Sequence, residues 1–179
     1  MANSVTIVTH DGQFHADEVA SCAILTTIYP NSTIVRTRKN ELIVKSDIII
    51  DVGGEYNHQT KKYDHHQKTF HDTFAKTSAI VMSSIGLIYK HYGKEFISHI
   101  INIKKITSEE SFTKFYEKIY FDVIAELDAN DNGVPQYETD NYPKYFSNTN
   151  LPSVVSKFNQ ENIFPARGIT HIICHSAII

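Results

Sequence analysis

Asp47-Ile48-Ile49-Ile50-Asp51-Val52-Gly53-Gly54 is an apolar run closed by a carboxylate and two glycines. A strand that is apolar without alternation is buried on both faces, the pattern of a parallel sheet with cover on both sides. The strand predicted from Asp47 to Asp51 puts Asp51 at its carboxyl end. In open α/β sheets that end carries the site. The fold class is therefore α/β, with a mainly parallel central sheet flanked by helices.

Upstream, Val5 to Thr9 is short and β-branched and stops at His10-Asp11-Gly12, which reads as a second buried strand. Ala16 to Tyr29 has helical spacing, with Asp17 and Glu18 in the first turn where acids suit the dipole. Thr33 to Arg36 reads as a strand and Asn40 to Lys45 as a short helix. Downstream, Lys61 to Tyr63 is a short strand or turn delivering Asp64-His65-His66. Helices are predicted over Ser78 to Tyr92, with Gly93 as the stop, and over Glu95 to Ile103. The clearest helix runs from Ser108 to Asp128, preceded by a capping box at Thr107-x-x-Glu110. Its apolar residues Phe112, Phe115, Tyr116, Ile119, Tyr120, Val123, Ile124 and Leu127 repeat at i, i+3, i+4. Residues 134–150 look irregular, and 151–159 suit a short helix.

The chain has 179 residues, 41% hydrophobic and 21% charged, enough for one domain with its own core. A net charge of -3 argues against broad adhesion to nucleic acid or anionic membrane. Cys22 and Cys174 form no framework, and a reducing compartment is expected. No signal peptide is legible, and no apolar run reaches the ~20 residues of a spanning helix. The expected location is intracellular: cytoplasm, nucleus or mitochondrion.

Ten histidines is a high count for this length, and several stand beside aspartates. Four segments carry ligand-type residues: His10-x4-His15-x-Asp17, Asp51 before Gly53-Gly54, Asp64-His65-His66, and Asp128-x-x-Asp131. Divalent metals bind neutral imidazole and ionised carboxylate. Two metals about 3.5–4 Å apart clamp the attacking and leaving oxygens of a phosphoryl displacement. Such a pair shares a carboxylate, and Asp51 is the natural bridge. His10, His15 and Asp17 would flank one side, His65 and Asp128 the other. His66 is free to face substrate. The mixed His and carboxylate set suits manganese, with magnesium and zinc as alternatives.

Each residue alone has a plainer reading. His10 could be satisfied by backbone, Asp17 could serve the helix dipole, and Asp51 could form a turn. Asp128 and Asp131 could cap a helix and start the turn at Asp131-Asn132-Gly133. His58, His71, His91 and His99 read as surface or satisfied histidines. Cys22 and the aromatic stripe read as core. Together, several strand ends and one helix end carrying coordinating groups outweigh those readings.

Five segments in order resemble one family: Thr9-His10-Asp11-Gly12-Gln13-Phe14-His15-Ala16-Asp17-Glu18, Ile34-Val35-Arg36-Thr37-Arg38, Asp51-Val52-Gly53-Gly54-Glu55-Tyr56, Tyr63-Asp64-His65-His66-Gln67 and Leu127-Asp128-Ala129-Asn130-Asp131-Asn132-Gly133. Asn148 to Pro152 and Val155 to Asn159 are similar to it too. It is the melanocyte-proliferating-gene protein family, a branch of the DHH phosphoesterase superfamily. The resemblance implies a Rossmann-like DHH domain, two divalent metals (manganese first, magnesium possible) and phosphodiester hydrolysis. The family's activity is that of a 3′–5′ RNA exonuclease, so RNA or another phosphoester is the expected partner. It implies metal ligands at His10, His15, Asp17, Asp51, His65 and Asp128. His66 is placed towards substrate and Asp64 supports an imidazole; with Asp51 they form the expected catalytic group.

Family members continue into a second domain, and the pattern is expected to end near Asn159. Residues 1–159 are read as the DHH-type domain and 160–179 as an atypical apolar tail, with the second domain absent. The rival functions are a small-molecule phosphatase or pyrophosphatase of the same superfamily, and a truncated, catalytically weak metal-binding protein.

Overall fold

The computed structural model describes residues 4–101, 108–138 and 147–160. The tail read at 160–179 lies outside the described residues but for the backbone of residue 160. So do Thr107 of the expected capping box, residues 102–103 of the expected second helix, and most of the irregular stretch.

Strands β1 (Thr6–Thr9), β2 (Thr33–Arg36), β3 (Ile48–Ile50), β4 (Tyr56–Asn57) and β5 (Lys62–Tyr63) form one sheet in the order β2-β1-β3-β5-β4. All pairings are parallel except that of β4 with β5. Val8 sits beside Val35 and Ile49, and Ile50 beside Tyr63. In this register the neighbouring strands β1, β3 and β5 end together, and their next residues are His10, Asp51 and Asp64. The α/β class is thus met, with a mostly parallel five-stranded sheet.

The period of two sorts the apolar residues between the faces. Ile7, Ile48 and Ile50 enter the main core, shared with helices α1 (Ala16–Ile28) and α3 (Ser84–Ile100). Val8 and Ile49 meet Val52 and Ile43 of α2 (Asn40–Ile43) on the other face. The all-isoleucine strand β3 is therefore covered from both sides.

Helix α3 replaces the two helices expected between Ser78 and Ile103. Gly93 does not stop it. A Cβ there would lie 2.9 Å from ring atoms of both Tyr89 and Tyr116, so glycine serves ring packing. The start moves to Ser84 because the preceding residues bond elsewhere. Val81 bridges Thr73, and Met82 N–H donates to Asp72 O at 3.0 Å.

The helix expected over Ser108–Asp128 is built in three parts: α4 (Glu109–Ile119), a π-helical turn (Tyr120–Ile124) and α5 (Ala125–Asp131). Ser108 is its N-cap and accepts from Ser111 N–H at 3.1 Å. The wide turn resets the helical phase. Tyr120 and Ile124 point inward, whereas Val123, expected on the apolar face, is 52% exposed. The helix also runs past Asp128 to Asp131, so the latter is a helical residue, not a turn former. Helix α6 (Leu151–Gln160) packs against α1 and α5, and Asn150 Oδ1 accepts from Ser153 N–H at 2.9 Å at its start.

Candidate metal centre

Asp51 leaves β3 in a left-handed backbone conformation, with φ 55°. That is uncommon for a residue with a Cβ and recurs at functional sites. Its carboxylate is 3% exposed and stands among three imidazoles. Oδ2 lies 3.3 Å from His10 Nε2, and Oδ1 lies 3.5 Å from His65 Nε2 and 3.6 Å from His66 Nδ1. Ser84 Oγ, at the start of α3, donates to Oδ1 at 3.1 Å. Burial pushes the Asp51 carboxyl up, but the nearby imidazoles of His10 and His65 outweigh it and hold the group well below the carboxylate range.

His10 ends β1. Its Nδ1 pairs with Asp11 O at 2.9 Å, which leaves Nε2 facing Glu18 Oε1 at 3.5 Å and Asp51. Burial would lower its pKa, but Asp51, Asp11 and Glu18 raise it overall. Glu18 accepts from His15 N–H at 2.8 and 2.9 Å, half of a capping box at the N-terminus of α1. Burial lifts its carboxyl to about 7 against the pull of His15 N–H and His10.

His65 Nε2 lies 3.0 Å from Asp131 Oδ2. Burial opposes its charge, but Asp131 and Asp51 raise it to about 10. His66 Nδ1 pairs with Asp64 Oδ1 at 2.7 Å, and the same oxygen accepts from His66 N–H at 3.0 Å. The other Asp64 oxygen accepts from Gly54 N–H at 2.6 Å. Gly54 has φ 68°, which suits a residue without a Cβ. These bonds outweigh burial and hold Asp64 below its ordinary pKa, while Asp64 raises that of His66. The His66 side chain is 62% exposed, so its Nε2 side is presented outward.

Asp17 carries the strongest sign of a missing partner. It is 1% exposed, and neither carboxylate oxygen has a hydrogen-bond partner among the described residues. Burial, then the charges of Asp51, Asp131 and Glu18, push its pKa well up. Native structures rarely leave two such oxygens unpaired. His10 Nε2 and His65 Nε2 also lack an aligned hydrogen bond. Carboxylates crowded together, with imidazole nitrogens aimed at them, fit a divalent cation. Three overlapping groups have donor atoms within 4.8 Å of one another: His10, His15, Glu18 and Asp51; Asp51, His65 and His66; and His15, Asp17 and Asp131.

The structure thus brings together His10, His15, Asp17, Asp51, His65 and His66, with Asp64 directly behind His66. Asp128 is placed differently from the ligand role read for it. Its Oδ1 accepts from Ser83 N–H at 2.8 Å, Ser83 Oγ at 2.8 Å and Gly86 N–H at 3.0 Å, and Oδ2 accepts from Tyr120 OH at 2.7 Å. Oδ1 anchors the start of α3 and Oδ2 is taken by Tyr120 of the π-helical turn. Asp131, one turn on, is the α5 carboxylate that reaches the cluster. Glu18 was not among the expected ligands, although it adjoins Asp17; Asp131 stood in the fourth ligand-type segment, where Asp128 was the expected ligand.

The sheet and its edge of imidazoles and carboxylates define an α/β protein with a candidate metal centre. The chain belongs to the MYG1_exonuc family, described as an uncharacterised protein family (UPF0160), whose match covers residues 6–167. That range runs beyond Asn159, where the pattern was expected to end. The chain is 41% identical to a MYG1 protein of Dictyostelium discoideum over 161 residues, covering 88% of this chain and 47% of the relative. It is 40% identical to the MYG1 exonuclease of Mus musculus and 38% identical to that of Homo sapiens, each over 162 residues. These two matches cover 86% of this chain and 41% and 42% of the relatives. The chain spans about half the length of the curated relatives it matches. No solved structure matches it. No described helix is long and apolar enough to cross a membrane.

Proposed function

We propose that this chain carries the metal-binding half of a phosphodiester hydrolase that removes nucleotides from the 3′ end of RNA. Two divalent cations, manganese before magnesium, would share Asp51. The observation that carries the reading is Asp17, a buried carboxylate whose oxygens lack an aligned hydrogen bond among the described residues and which stands near His15 and Asp131. The relatives named exonucleases support a nucleic-acid substrate; RNA and the 3′ polarity rest on the family resemblance.

His10, His15 and Glu18 would hold one cation with Asp51; Asp17, His65 and Asp131 would hold the other with it. Bound cations would supply Lewis acidity, acidifying water for attack on phosphorus and neutralising phosphate charge. Ser84 fixes one oxygen of Asp51 so that the shared carboxylate keeps its orientation. Asp64 fixes His66 through Nδ1, which leaves Nε2 to donate to a phosphate oxygen or to the leaving group. The bond to Asp64 raises the pKa of His66, which favours the protonated ring.

The test is a nuclease assay in Mn²⁺ with RNA, DNA, dinucleotide and pyrophosphate, run beside Asp51→Asn. Stepwise release of nucleotides from RNA, lost in Asp51→Asn, is expected. Phosphate release from pyrophosphate alone would instead make the chain a small-molecule phosphatase. Activity on no substrate, with Mn²⁺ still bound, would make it a metal-binding protein.

A further inference from the structure

The loop from Gly12 to His15, between β1 and α1, lacks regular backbone pairing, yet its polar groups are occupied by side chains from three other places. Arg36, at the end of β2, donates through Nη2 to Gly12 O at 3.1 Å and Gln13 O at 3.3 Å. Its guanidinium lies over the Phe14 ring, 3.6 Å from the centroid. Asn159, in α6, takes both backbone groups of Phe14. Its Oδ1 accepts from Phe14 N–H at 2.6 Å, and its Nδ2 donates to Phe14 O at 2.8 Å. Glu18 takes the next N–H, that of His15.

Asn159 stands 145 residues from Phe14 in sequence. A side-chain amide bonded to both N–H and C=O of one residue imitates a strand partner and leaves that peptide little rotational freedom. His15 is an exposed member of the cluster and follows immediately. Its ring, 5.2 Å from that of His10, is carried on that backbone, so its position depends on it.

We infer that Asn159 and Arg36 are positioning residues of the metal centre, a two-sided clamp that sets the His10–His15 loop for cation binding. The inference rests on the metal reading above and makes α6 part of the site. Groups that orient a ligand without touching the metal typically carry about a 10–100-fold effect on affinity. The clamp separates geometry from charge. Asn159→Asp can still accept from Phe14 N–H but cannot donate to Phe14 O and would repel it. Arg36→Lys keeps the charge near Glu18 but loses the fork and the flat face over Phe14.

The experiment is Mn²⁺ calorimetry on the whole chain, wild type against Asn159→Asp, Asn159→Ala, Arg36→Lys and Val155→Ala. Val155 is a buried core residue of the same helix that makes no clamp bond. The expected result is roughly 10–100-fold weaker binding in the Asn159 variants and a smaller loss in Arg36→Lys. Val155→Ala should melt lower yet bind Mn²⁺ as wild type while folded. Unchanged affinity in the Asn159 variants, or an equal loss in Val155→Ala at equal folded fraction, would overturn the clamp. Hydrogen exchange at the Phe14 amide gives a readout without metal. It should be slow in wild type and fast in Asn159→Ala; fast exchange in wild type would overturn the clamp. Should wild type bind no Mn²⁺, the metal reading fails, and Phe14 exchange still decides whether Asn159 holds the loop.

Discussion

The hydroxyl of Tyr120 donates to Oδ2 of Asp128 at 2.7 Å, deep in the core and one turn from the candidate metal centre. The π-helical turn places Tyr120 there, and the bond completes a set that ties α3 to α5. Asp128 is therefore an anchor and Asp131 the cluster carboxylate. Asp128→Ala would strand Ser83 N–H, Gly86 N–H and two hydroxyls, at about 1–3 kcal/mol for each buried group left unpaired. A loss of at least about 3 kcal/mol is expected by denaturant unfolding, allowing for relaxation. Asp131→Asn, which removes the charge facing His65 but keeps an acceptor there, should lose less stability than Asp128→Ala yet bind Mn²⁺ more weakly. The reverse pattern would exchange the two roles.

Gly86 gives a second handle on that anchor. A Cβ there would lie within 2.7 Å of Asp128 Oδ1, a group held in place by four donors. Gly86→Ala should destabilise the chain by about 1–3 kcal/mol through overpacking, although alanine is the better helix former. Thermal unfolding measures it; a neutral or stabilising effect would show that the carboxylate can move.

The pH dependence of the metal-free chain follows from raised pKa values. Glu18 rises from 4.5 to about 7 and His65 from 6.5 to about 10, and Asp17 shifts upward as well. A raised folded-state pKa means stability fully present below the unfolded value and lost as pH climbs through the folded one. Glu18 should thus withdraw stability between about 4.5 and 7, and His65 between about 6.5 and 10. Asp51, held low, acts in the other direction and only in acid. Metal must displace the His65 proton, so Mn²⁺ affinity should rise with pH. Melting curves from pH 5 to 9, with chelator and with Mn²⁺, check this: they should diverge as pH increases.

His66 should matter to turnover and not to metal. Its Nδ1 is held by Asp64 and its outer side is exposed. His66→Asn is expected to lower kcat by about 10²–10⁴-fold, the range for a lost proton donor. Mn²⁺ affinity should stay close to wild type. Rapid-quench kinetics beside calorimetry separate the two; an equal loss in both would place His66 among the ligands.

Much of this site was legible because β3 reads as one apolar run ending in Asp51, and because β1 and β5 end in His10 and Asp64-His65-His66. Strand ends in a parallel sheet are a one-dimensional signal with a three-dimensional consequence. Asp131 was harder. Asp131-Asn132-Gly133 has the composition of a turn, and only the phase shift at Tyr120–Ile124 decides which aspartate reaches the cluster. A π-helical turn leaves no mark in apolar spacing that an α-helix would not also allow. Gly93 misled in the same way, because its role is set by the rings of Tyr89 and Tyr116, on two different helices. Asn159 and Phe14, 145 residues apart, could be paired only by the folded chain.

The central claim is that Asp51 is the shared carboxylate of a two-cation centre. Calorimetric titration of the metal-free chain with Mn²⁺, wild type against Asp51→Asn, tests it most directly. The account predicts two ions per chain in wild type and loss of both high-affinity events in the variant, with the fold intact by circular dichroism. Absence of Mn²⁺ binding in wild type, or binding that Asp51→Asn leaves unchanged, would contradict it.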